Sequence, residues 1–150
     1  MNSLWVKAPL AAGLVCGVLD GLAAIVITLA FSGSIPRMFQ GIAGAVVGNR
    51  AFNGGAQTVA LGVALHFAIA FGAAIVYSIG ARFLPLLLDQ ALLCGVLYGV
   101  AVHLFMQYVV IPLSAIGPRP FAAKSFFAVL AAHVIVVGPS IALTLRSFLR

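Results

Sequence analysis

Apolar residues in this chain come in long runs separated by short clusters of glycine, proline, serine and arginine, and the pattern predicts four membrane-crossing helices. Pro9 suits a first helical turn, and the run 8–31 is long enough to cross a hydrocarbon core of about 30 Å at 1.5 Å per residue. A cleaved signal peptide competes with that reading, because Ala30-Phe31-Ser32 has small residues at cleavage spacing. The run is much longer than the roughly 7–15 apolar residues of such a signal, which favours a retained span. Ser32-Gly33-Ser34-Ile35-Pro36 then breaks the helix. Residues 36–47 are too few to cross, yet Ile35, Met38, Phe39, Ile42 and Val46 recur at helical spacing, with Arg37, Gln40, Gly41 and Gly44 on other faces. This stretch is expected to be a short interfacial or re-entrant helix, ended by the turn residues Asn53-Gly54-Gly55. The runs 56–79, 90–111 and 121–145 complete the set, with Asp89 placed to N-cap the third span and Gly138-Pro139 to kink the fourth. The expected fold is all-α: a transmembrane four-helix bundle plus the short helix, forming one integral membrane domain over residues 1–150.

The chain also repeats itself. Residues 14–23 read L-V-C-G-V-L-D-G-L-A and residues 92–101 read L-L-C-G-V-L-Y-G-V-A, with Tyr98 standing where Asp20 stood. Ser32-Gly33-Ser34-Ile35-Pro36-Arg37-Met38-Phe39 lines up with Ser114-Ala115-Ile116-Gly117-Pro118-Arg119-Pro120-Phe121 at Ser, Pro, Arg and Phe. His66 and His133 sit in the similar words A-L-H-F-A-I and A-A-H-V-I-V. These matches predict two helical hairpins of the same orientation, related by a pseudo-twofold along the membrane normal.

Composition supports the membrane reading and removes others. At 64% hydrophobic residues and a mean hydropathy of +1.24, the chain is far from the composition of a soluble domain. Eight basic residues against two acidic ones give a pI near 10.2, but they are scattered singly, without the patch that nucleic-acid binding needs. Basic residues at helix ends suit anionic lipid headgroups instead. Lys7, Arg82, Arg146 and Arg150 flank one membrane face and Arg37, Arg50, Arg119 and Lys124 the other, so the positive-inside rule is tied; both termini are placed in the cytoplasm. Cys16 and Cys94 lie inside apolar runs and read as packing residues.

The candidate chemistry lies in the polar residues within the spans. Counted along the helices, Asp20, His66, Tyr98 and His133 share a depth band near the midplane, with His103 further across. Three stripes mix small and polar residues on one helical face: Gly13, Gly17, Asp20, Ala24, Thr28; then Gly62, His66, Ala70, Ala73, Tyr77; then Gly95, Gly99, His103, Gln107. Such stripes mark helix contacts, so the polar groups point inward. Asp20 facing lipid unpaired would cost about 2.5–3.5 kcal/mol, so it is protonated or partnered; His66 is the expected partner, and the repeat pairs Tyr98 with His133. One reading is a structural lock in which these groups satisfy one another. A second is a proton or small-solute path. In a third, His66 and His133 act as axial ligands to a haem or metal, a weak signal without second-shell support.

No catalytic triad, phosphate loop or C-x-x-C is present, so no enzyme activity and no cofactor or metal are expected. The expected function is a non-enzymatic accessory or interaction protein with a polar mid-membrane core, the alternative being a proton-coupled or small-solute transporter using Asp20 and His66. Arg37, Gln40 and Arg119 are loop and interface candidates. The expected partners are the lipid bilayer and a second copy or another membrane protein, with no nucleic acid; the words Gly13/Gly17 and Gly95/Gly99 suit helix packing within the chain first and between copies second.

The words G-V-L-D-G, P-R-M-F-Q-G-I-A-G-A-V-V-G-N-R-A-F-N-G-G, L-H-F-A-I-A, L-Y-G and V-I-P-L-S resemble those of a group of small, uncharacterised bacterial inner-membrane proteins. The resemblance covers most of the chain. It implies a four-span protein of the inner membrane and brings no substrate or catalytic residue with it.

Overall fold

A computed structural model describes residues 3–150, and among them there is no strand. Four helices are long and apolar enough to cross a membrane: Leu4–Ala30, Gly55–Phe83, Ala91–Leu113 and Ala123–Leu149, of 27, 29, 23 and 27 residues. They are called the first to fourth spans below. The short helix is Ile35–Val47, with Pro36 in its first turn and Gly48 ending it at φ +65°, a left-handed conformation that glycine adopts without strain. A single helical turn, Leu86–Asp89, separates the second and third spans. Asp89 therefore does not N-cap the third span, whose N-cap is Gln90. Pro85 starts its own turn just upstream, and the Asp89 carboxylate is drawn to the Arg150 guanidinium at the other end of the chain.

The first span lies between the second and the fourth, the third packs on the fourth, and the short helix packs on the second. Glycines decide how closely these helices meet. Gly13 and Gly17 receive the rings of Phe71 and Phe67 from the second span. Gly95 and Gly99 bring the third span against the backbone of the fourth, so that a Cβ on Gly99 would strike the His133 carbonyl. The second and third spans meet through Tyr98, whose hydroxyl donates to the Ala73 carbonyl at 2.8 Å and whose ring stands edge-on to Tyr77 at 4.9 Å. A strict pseudo-twofold would make this contact equal to the one between the first and fourth spans, which is far more extensive.

Packing is uneven along the membrane normal. The buried cluster that includes Ala8, Ala12, Ala74, Ile141, Ala142 and Leu145 fills the end nearest the termini. At the other end the spans diverge, and the short helix and the loop before the fourth span occupy the gap. That loop is stitched to the helix: Ala115 N–H donates to Ala45 O at 2.9 Å, Arg119 Nη2 donates to Gly41 O at 3.3 Å, and Ile116 presses on Gly44.

Both third and fourth spans contain a widened π segment, Met106–Val110 and His133–Val137. Each precedes a proline by one residue: Val109-Val110-Ile111-Pro112 and Val136-Val137-Gly138-Pro139. A proline ring collides with the carbonyl four residues back, and widening the turn accommodates it while the helix continues. The disturbance expected at Gly138-Pro139 thus takes the form of a widened segment, His133–Val137, directly before it.

The close approach predicts a contrast between two single-atom substitutions. Gly99→Ala should lower stability by about 1–3 kcal/mol, because backbone on both sides leaves nothing to move aside. Gly72→Ala, with open space around it, should be neutral or slightly stabilising. Thermal denaturation of the detergent-solubilised variants measures both.

Candidate functional site: a polar cavity within the bundle

Where the spans diverge they line a half-open cavity of about 620 Å³, within the usual range of roughly 300–1,000 Å³ for small-molecule sites. It runs from Gly33, Ser34, Arg37 and Arg119 at the loop face inward to Cys16, Asp20 and His66. At 1.5 Å per residue, Asp20 lies about 16 Å below Phe31 at the mouth. The stripes of small and polar residues deliver the lining. On the first span Gly13 and Gly17 make helix contacts, whereas Asp20, Ala24 and Thr28 on the same face line the cavity. On the third span Gly95 and Gly99 pack and His103 and Gln107 line. On the second, Gly62 admits the Phe39 carbonyl of the short helix, while His66, Ala70 and Ala73 line.

His66 Nδ1 stands 3.9 Å from Asp20 Oδ2, and His66 Nε2 is 2.8 Å from the Gly17 carbonyl. A carbonyl only accepts, so Nε2 carries hydrogen and donates, leaving Nδ1 turned towards Asp20. The gap is too long for a direct hydrogen bond but suits an ion pair or a bridging water. The Asp20 carboxyl and His66 Nδ1 thus face one another without a direct bond. The imidazole is held edge-on by Phe67 at 5.5 Å and Phe39 at 6.5 Å between ring centroids.

The second pair is not the expected one. Tyr98 does not meet His133 and does not line the cavity; its hydroxyl is taken by the Ala73 carbonyl. His133 instead faces His103, with ring centroids 5.2 Å apart and planes at 69°. Gly99 explains this: it lets the His133 backbone approach, and His103 lies one turn further along the same face of the third span. The two histidines thus share one depth, contrary to the count along the helices. His133 Nδ1 donates to Val129 O at 2.9 Å. His103 is 3% exposed, packs edge-on to Phe126 at 4.7 Å, and its Nε2 has no partner among the described residues.

A bis-imidazole haem or metal site across the bundle is not what this geometry offers. His66 has committed Nε2 to Gly17 O and turns Nδ1 to Asp20, while His133 is neighbour to His103. Among the described residues no group of three or more His, Cys, Asp or Glu is placed to hold a metal ion.

Two of the remaining candidates, Arg37 and Arg119, frame the mouth. Arg37 lies over the Phe52 ring at 5.8 Å and Arg119 reaches Gly41 O, both exposed at the loop face. Gln40 is buried away from the cavity and holds the short helix to the second span, with Nε2 at 3.4 Å from Gly55 O and 3.5 Å from Thr58 Oγ1. Ser125, Met38 and Met106 line the cavity without having been singled out in the sequence; their common signal is position on the helical faces that diverge. No family model, curated protein or solved structure matches this chain.

With Cys16 and Cys94 replaced by alanine, a cysteine at Thr28 should react with a charged, membrane-impermeant thiol reagent added on the loop face. One at Leu22, which is 56% exposed on the outside of the bundle, should not. Reaction at Ser34→Cys without reaction at Thr28→Cys would show that water stops at the mouth.

Proposed function

We propose that this chain is a non-enzymatic membrane transporter of the simplest size, in which a proton held by Asp20 and His66 crosses down its gradient and is coupled to a small solute when one is admitted from the loop face. One observation carries the reading: a single cavity joins that face to the carboxylate–imidazole pair. Carboxylates and imidazoles inside a membrane are the groups that proton relays and ion pathways use, and low surrounding polarity strengthens their coupling. A lock of mutually satisfied groups is served less well, since Asp20 and His66 are too far apart to bond directly and His103 Nε2 is unpartnered. The solid packing nearest the termini makes access one-sided in this state, and the two π segments beside the cavity mark where the third and fourth spans are least regular.

The same proposal places the chain in a bacterial inner membrane with both termini in the cytoplasm, so that the mouth faces outward. What supports the membrane is the resemblance of its sequence words to small proteins found there; the orientation is chosen with basic residues balanced across the two faces. The shared words 14–23 and 92–101 support duplication of a hairpin, with Tyr98 standing where Asp20 stood.

Proteoliposomes containing a pH-sensitive dye test the reading. Wild type should carry protons down an imposed gradient, and Asp20→Asn, nearly equal in shape, should fall to the level of protein-free vesicles with its melting temperature kept. Equal proton flux in the two proteins would end the proposal.

A further inference from the structure

The charge distribution at the mouth identifies a class of solute. Only two acidic residues exist in the chain, Asp20 and Asp89. Asp89 is paired with Arg150 at the opposite end of the bundle and Asp20 lies deep in the cavity, so Arg37, Arg50, Arg119 and Lys124 share the loop face with no carboxylate. Of these four, Arg37 and Arg119 line the cavity and Arg50 and Lys124 do not. Arg119 uses one nitrogen on Gly41 O and Arg37 leans on a ring, so both guanidinium groups keep donors for an incoming anion. The fork of donors on a guanidinium matches the two oxygens of a carboxylate.

The rest of the lining is largely apolar, with Ile27, Met38, Ile42, Val110, Ile116 and Val129 in it. A solute that satisfies both regions has one anionic end and a hydrocarbon body. Arg37 and Arg119 are the only arginine or lysine residues in the lining, so a second anionic group at the far end of the solute would meet Asp20 and no cation.

We infer that the cavity takes a small organic monocarboxylate, its carboxylate held between Arg37 and Arg119 and its apolar body directed towards Asp20. The inference rests on the transporter reading above for the role of the cavity, but the binding site it names is separate from Asp20 and is tested separately.

Hexanoate is a suitable probe, with hexanamide and hexylammonium as comparators, titrated calorimetrically into the full chain in phosphatidylcholine nanodiscs with empty nanodiscs subtracted. Hexanoate should bind saturably and the comparators should not. Arg37→Gln and Arg119→Gln should each weaken binding by at least about tenfold, the range expected for a lost hydrogen bond to a charged group. Arg50→Gln should bind as wild type does. Because Arg119 also anchors a loop, Arg37→Lys provides a second check: it keeps the charge, loses the fork and should bind with intermediate affinity.

Absence of saturable binding by wild type, equal binding of hexanamide, or undiminished binding in the Arg37→Gln/Arg119→Gln double variant would overturn the inference. So would native mass spectrometry showing an anionic phospholipid held through these arginines and not displaced by hexanoate. Asp20→Asn separates the two proposals. Loss of proton flux with hexanoate binding retained supports both. Asp20-dependent flux in a wild type that ignores hexanoate removes the solute class and leaves the proton reading. Hexanoate binding without flux does the reverse.

Discussion

A carboxylate set in the middle of an apolar helix is the constraint around which this bundle is arranged. Left facing hydrocarbon, Asp20 would oppose insertion of the first span by a few kcal/mol, so the fold has to bring it polar company at the same depth. His66 supplies it, but an imidazole on a neighbouring helix reaches only if the two backbones run close together. Gly13 and Gly17 make that possible by receiving Phe71 and Phe67, and the Gly17 carbonyl then fixes the ring by accepting from Nε2. Orientation of the base, separation of the helices and placement of the acid are thus one arrangement viewed from three sides.

The same division of labour recurs along every inward face. Small residues join helices over part of the length, and polar residues one or two turns away take the space where the helices separate. A membrane bundle gains little from apolar burial, since lipid chains are as apolar as leucine, and depends on close packing and a few interhelical hydrogen bonds. Here that packing is concentrated near the termini, with Tyr98 to Ala73 O as a polar tie, and the opposite end is left free to be hollow. The cavity is therefore compatible with a stable fold because the two occupy different depths.

Much of this was legible in the sequence, for physical reasons that can be named. Runs of more than twenty apolar residues admit few structures other than a spanning helix, and Ser34-Ile35-Pro36 announces the start of the short one. Asp20 meeting His66 followed from depth and adjacency. The partner of His133 did not. The repeat pointed to Tyr98 because position within a word ignores rotation about the helix axis, and the widened turn that begins at His133 changes that rotation. Pro139 was visible as a disturbance, but whether a helix answers a proline by bending or by widening depends on the room its neighbours leave, which a single chain of letters does not record. The cavity itself was illegible for the same reason: a void belongs to several helices at once.

The stitching of the loop before the fourth span to the short helix has a consequence for how such a protein evolves. Its link from Ala115 to Ala45 runs between main-chain atoms and is indifferent to most side-chain replacement nearby, whereas the Arg119 contact goes with that side chain. The outline of the entrance is consequently inherited with the path of the chain, while the residues that face the hollow are free to drift. A lineage built on this frame can change what it admits without rebuilding the doorway.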